Sequence, residues 1–394
     1  MSTKLNTWSI KLLVSNTFFR WARILVQIFL SIYVWKVTND IKVIALFNIV
    51  LNSFQAIWFF IGAFFVKAGH RNIINYIAFT LVIVLYICIA LLSEYIVESI
   101  YIIWAILWTW VGLYYINYDL NQFDLSHFKN RWNLEWIKKS LKITIKIIFP
   151  IIFWFIISYY NIELAFVVAI VCLFGWMYYG RIDFQPSTGK VNIWAFLKIL
   201  QKNRRLVFSL LWCLFLAFSF SATIVDTLLS IILFEKLWTE MKLWFSLSII
   251  SAISIVIVYM FWRFVQYRHY NIWFIVFTIL YIISLLGFLY ADSYTTVLLL
   301  SSCVLSVILL YQVMASVLNS NSLHSVENID DYKVEFYIFR ELAYTTGWTI
   351  GFGLMYFAWD LSQGSLKIIF YTMMWFSIIT TSLLMRVNIH EIEQ

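Results

Sequence analysis

Two prolines and 11 glycines in 394 residues leave little to interrupt long helical runs. Charge is equally scarce. Only 12% of the chain is Asp, Glu, Lys or Arg, where a soluble domain carries about 25%, so a water-facing surface of ordinary composition is excluded. The four cysteines, Cys88, Cys172, Cys213 and Cys303, stand singly inside apolar runs, without the paired spacing of a disulfide framework or a metal site. There is no phosphate-cradling glycine loop, and the five histidines fall singly in basic connections or the tail. These absences speak against an enzyme and against any cofactor or metal. With no nucleotide site, uphill movement of a solute would need an ion or substrate gradient. The first 13 residues lack an apolar core followed by a small-residue cleavage site, so no removable signal peptide is expected.

What is abundant is hydrophobic sequence, 63% of the chain, with 20 Trp, 24 Tyr and 36 Phe. A helix needs about 20 apolar residues to cross a bilayer. Run lengths predict an all-α polytopic membrane protein with twelve spans, at residues 18–36, 43–66, 73–92, 99–118, 143–160, 163–180, 206–234, 243–262, 271–290, 295–318, 336–359 and 366–385. The net charge of +8 does not indicate a nucleic-acid partner, because the basic residues are dealt out between the spans. With twelve spans, one side keeps only Lys36, Lys42, Lys236, Lys242 and Lys367, leaving 23 of the 28 Lys and Arg for the other. The positive-inside rule then puts both termini in the cytoplasm, and a bacterial cell membrane is the expected location.

The connection at residues 181–205 separates six spans from six, which divides the chain into a bundle at 1–180, a linker at 181–205 and a bundle at 206–394. Residues 191–205 set Ile193, Trp194, Leu197 and Leu200 apart from Lys198, Lys202 and Arg205, as in a helix lying on a membrane whose lipids are its partners. The stretch 126–146 has a similar mix of Trp and basic residues.

Polar residues inside apolar spans are costly and normally face the bundle interior or water. On the first span Asn16, Arg20, Arg23, Gln27 and Ser31 recur at helical spacing; on the seventh Ser219, Thr223, Asp226 and Ser230 do the same. Both stripes are expected to line a substrate path. Asp226 reads as the only carboxylate well inside an apolar run, placed to couple a proton or bind a cation.

Between the second and third spans, Gly62, Lys67, Gly69, His70 and Arg71 form a short basic turn. It resembles the loop at that position in the major facilitator superfamily of transporters, with Val66 where that family has an Asp. The stretch 29–36, the residues from Asn117 to Ser126 with Arg131, and Glu335, Arg340, Glu341 and Gly347 near the eleventh span are similar to patterns in the YqgE-like branch of that superfamily. The resemblance implies two six-helix halves around a central path, with the Gly62 turn as a gating loop. The Arg within the fourth span and the glycines of the fifth that mark proton-linked drug exporters are absent here. The expected function is secondary transport of a small organic or amphipathic solute, with export favoured and a proton or cation as coupling ion. A flippase for a lipid or lipid-linked substrate, and a non-transporting membrane partner or immunity protein, are the alternatives.

Overall fold

The computed structural model describes residues 7–38, 40–91, 96–126, 128–160, 162–180, 189–237, 240–262, 270–291, 293–324, 329–357 and 363–386. Among them are fourteen helices and no strand. In order they are α1 (Thr7–Thr38), α2 (Ile41–Lys67), α3 (Arg71–Leu91), α4 (Ile96–Leu125), α5 (Phe128–Tyr159), α6 (Ile162–Tyr179), α7 (Ile193–Lys202), α8 (Arg204–Ser219), α9 (Ala222–Leu237), α10 (Glu240–Trp262), α11 (Tyr270–Leu289), α12 (Tyr294–His324), α13 (Ile329–Phe357) and α14 (Gln363–Met385). A closed helical ladder is what a bilayer demands, since no water is present there to satisfy free backbone groups.

Twelve passes account for thirteen of these helices, and α7 is the linker helix. The arithmetic turns on α8 and α9, each 16 residues and so about 24 Å long, too short to cross about 30 Å of hydrocarbon alone. Together they make the seventh pass. The expected continuous helix over 206–234 is therefore corrected: it breaks at Phe220 and Ser221. Neither glycine nor proline causes the break. Ser221 starts a new helix, its Oγ accepting the Ile224 N–H at 3.2 Å as an N-cap. The carbonyls released from the ladder find side chains instead, Ser219 O accepting Tyr281 Oη at 2.6 Å and Phe220 O accepting Gln312 Nε2 at 3.1 Å. Phe220 stacks on Tyr311, ring centroids 3.9 Å apart, and fills the gap. A 100° step no longer carries Ser219 into register with Thr223, Asp226 and Ser230.

A second difference lies at the end of the bundle that carries the Gly62 turn, the basic end. Helix α5 begins 15 residues before its expected span, α4 and α13 each extend seven residues beyond theirs, and α12 extends six. At 1.5 Å per residue these extensions run about 10 to 20 Å. The stretch 126–146 is thus mostly the polar first half of α5.

The first half packs around Phe19, fully buried and stacked on Tyr114 at 3.5 Å, with Trp110, Tyr115 and Trp176 edge-on to its ring. These aromatics are core rather than lining. In the second half α13 crosses α8 at Gly347, where an added Cβ would lie 2.8 Å from the Ala217 Cβ and against the Leu214 carbonyl. Gly347→Ala is expected to lower stability by about 1–3 kcal/mol through overpacking. Gly353→Ala, six residues on with nothing within 4 Å, should cost nothing. Thermal unfolding of the two variants in detergent checks the contrast.

Candidate functional site

The charged side chains of the basic end meet in the seam between the halves. Helix α2 stops there in a way its sequence dictates. Gly69 takes φ 88°, a left-handed value that favours glycine. The His70 N–H bonds the Phe65 carbonyl at 2.9 Å, and the Gly69 N–H bonds Val66 at 3.0 Å. This is a Schellman ending, and it fixes Lys67 in the last turn of α2. Val66, in place of the family's Asp, is fully buried apolar packing.

Lys67 crosses to the second half. Its Nζ lies 3.2 Å from a Glu335 carboxylate oxygen and also donates to the Asp331 carbonyl. The pair is almost closed to water, the side chains being 9% and 1% exposed. Glu335 accepts a third bond at 2.9 Å from the Asn192 N–H, at the N-cap of α7, and the Gly189 N–H bonds the Lys67 carbonyl at 3.2 Å. The linker therefore enters the same contact from both sides.

Around it lie further charges. Arg71 is 3.1 Å from Asp124 within the first half, and Lys333 of α13 reaches the same carboxylate from the second. Arg340 pairs with Asp119 of α4 and lies over the Tyr337 ring at 4.3 Å. Deeper in, Gln55 donates to Glu341 at 2.6 Å. On the other flank, α5 sends Arg131 to Asn321 at 2.6 Å and Lys139 to Gln312 at 2.9 Å, both on α12. Glu135, fully buried, is held by Lys138 at 2.8 Å and by Gln122.

Of the residues expected at the gating loop, Gly62 lies buried against Leu113 and Ile116 of α4, Lys67 and Arg71 join the seam, and Gly69 and His70 are exposed. Glu335, Arg340 and Glu341 join it too; Gly347 belongs to the α8 crossing instead. On the α1 stripe, Arg23 Nη1 donates to Tyr115 Oη at 2.6 Å, and Arg20 has a buried Nε with no hydrogen-bond partner among the described residues. Asn16 accepts from Tyr114 Oη at 3.1 Å. Ser219 is buried against α14, its Oγ 3.0 Å from Thr380 Oγ1. The side chains of Gln27, Ser31, Thr223, Asp226 and Ser230 lie outside the described residues. Two carboxylates that the sequence did not single out as interior, Glu341 and Glu135, are buried. Gln55 and Gln312 carry no mark in the sequence beyond a polar residue inside an apolar run, whereas Asp119 and Asp124 fall in the family-like stretch from Asn117 to Ser126 and Lys139 in the basic stretch 126–146.

The fold as a whole is similar to that of solved structures. A bacterial homologue of the iron transporter ferroportin, in its outward-facing state, matches with TM-score 0.69 over 97% of this chain and 100% of its own at 12% identity. The nucleoside transporter NupG matches with TM-score 0.63 over 97% and 99% at 12% identity. The chain has the major facilitator fold. It is a multi-pass membrane protein, and at such identities the likeness speaks for the fold alone. No protein-family model and no curated protein sequence matches the chain.

Breaking a buried ion pair from one side costs about 3–5 kcal/mol, because the remaining charge is stranded. Lys67→Glu and Glu335→Lys are each expected to lower the unfolding temperature and to speed thiol labelling of a cysteine placed at Val334, which is fully buried in the closed seam. The double exchange should recover most of both effects. A double variant as labile as the two singles added together would remove this pair from the seam's support.

Proposed function

We propose that the chain is a secondary transporter that moves a small organic or amphipathic solute across a bacterial cytoplasmic membrane by alternating access, in the direction of export. The two halves are the bundles at 1–180 and 206–394, joined by the linker at 181–205, with the basic end and both termini in the cytoplasm. The observation that carries this reading is the chemistry of the seam. Lys67–Glu335, Lys333–Asp124 and Arg340–Asp119 all run between the halves, and all lie at one end. A permanent scaffold gains as much or more from apolar packing there. Charged pairs suit a seam that must open, since each partner is re-solvated by water when the halves separate. In this arrangement the basic end is shut, which corresponds to access from the outside. The similar solved proteins are an iron-transporter homologue and a nucleoside transporter, which supports transport as a class and leaves the substrate to this chain's own interior.

The polar stripe of Arg20, Arg23, Gln27 and Ser31 on α1 supplies one wall of the proposed path, and the segment with Thr223, Asp226 and Ser230 on α9 supplies the other. Asp226 is assigned the coupling of a proton or cation. Asp226→Asn is expected to keep the unfolding temperature while abolishing gradient-driven transport or its pH dependence. Wild-type transport at every pH tested would take the role from Asp226.

The reading as a whole is tested in proteoliposomes against a panel of amphipathic solutes. Ala68→Cys and Asp331→Cys, joined by a cleavable bifunctional thiol reagent in a background without other cysteines, should arrest transport. Cleaving the bridge should restore it. Transport that continues through the cross-linked protein would refute alternating access at this seam.

A further inference from the structure

The short helix α7 presents two faces of opposite chemistry. Phe196 is fully buried and its ring lies 5.5 Å from that of Phe339 on α13, which seats the helix on the second half. On the other face Trp194 is 78% exposed, and Lys198, Gln201 and Lys202 are exposed beside it. At about 100° per residue these four side chains fall within an arc of about 100°. The helix has no acidic residue of its own, so nothing on α7 neutralises its two lysines. An outward Trp flanked by lysines is the composition of a surface that meets phospholipid headgroups, the ring at the interface and the ammonium groups on phosphates.

The seat of α7 is tied to the latch. From Gly189 to Asn192 the chain spans four residues, one end bonded to the Lys67 carbonyl and the other to the Glu335 carboxylate. Moving α7 off its seat breaks both bonds and removes one of the donors that hold Glu335 in place. Anything that binds the outer face of α7 only while the helix is seated must favour the closed seam, by the difference of its affinity for the two states.

We propose that the Trp194, Lys198 and Lys202 face of α7 is a docking surface for anionic phospholipid headgroups, and that the docked lipid holds the Lys67–Glu335 latch closed. The lipid acts as a ligand of the latched state, through the strap at residues 189–192. A lysine near an anionic surface contributes about fivefold in affinity, so two of them bound only in the latched state shift the population by up to about thirtyfold. The effect weakens with added salt, as the headgroup field is screened.

The test uses the full chain in lipid nanodiscs, where both ends of the protein are open to reagent. A single cysteine in place of Val334, fully buried beside Glu335 in the closed seam, in a background without other cysteines, reports opening of the basic end by its rate of thiol labelling. Nanodiscs of phosphatidylcholine alone are compared with nanodiscs that also contain phosphatidylglycerol. Phosphatidylglycerol should slow labelling at least about fivefold. Lys198→Gln with Lys202→Gln should remove most of that dependence, and Trp194→Ala part of it. Glu335→Gln should label rapidly in both lipids. A rate that ignores phosphatidylglycerol, or a lipid dependence that survives the double lysine variant, overturns the proposal. Slowing by soluble polyglutamate in phosphatidylcholine nanodiscs equal to that by phosphatidylglycerol would give the face to an acidic protein partner and overturn the lipid assignment. Because the readout is labelling and not solute movement, a chain that transports nothing would still return the lipid result.

Discussion

The contact between Lys67 and Glu335 is the constraint around which the closed end is arranged. Two opposite charges nearly sealed from water are stable only as a pair with their remaining valences filled. Here the remaining valences are filled by the Asp331 carbonyl and the Asn192 N–H. Three separate stretches of chain must therefore arrive together: the end of α2, the first two turns of α13 and the entry to α7. The Schellman ending at Gly69 delivers the first, and the packing of Phe196 against Phe339 delivers the last. The flanking pairs at Asp124 and Asp119 then close over a seam already in register.

That seam is built from the parts of the helices that do not look like membrane spans. Hydropathy finds where a chain is greasy, and the twelve apolar runs were legible for that reason, as was the linker helix with its apolar residues set apart from Lys198 and Lys202. It says nothing about how far a helix continues once it becomes polar. Asp119, Asp124, Glu135 and Lys139 lie beyond or at the very edge of the apolar runs of α4 and α5, so the sequence shows them as loop residues. The fold makes them neighbours by carrying both helices past the apolar region.

Other parts of the site were legible only in fragments. The resemblance at Gly62 marks Lys67 and Arg71, but not their partners, because Glu335 lies 268 positions from Lys67 and Asp124 lies 53 from Arg71, and neither separation leaves a local signature. Glu335 and Glu341 were flagged by similarity, and their burial comes from packing against α2. The break after Ser219 was invisible for a different reason. Helix interruptions are read from glycine and proline, whereas this one depends on a serine cap and on Tyr281, Gln312 and Tyr311, which come from two other helices.

The interruption between α8 and α9 also gives the seventh pass a mechanical character that the unbroken helices lack. Changing the angle of a regular helix means distorting a ladder of backbone bonds in a medium that offers no substitute. At Phe220 the ladder is already open, and the angle is held by two side-chain bonds and one ring stack. Bending there exchanges a phenol and an amide for new partners, a compliant joint in an otherwise stiff rod. The amide belongs to Gln312, whose oxygen is bound to Lys139 of α5. One side chain thus connects the set of that joint to the position of the opposite half.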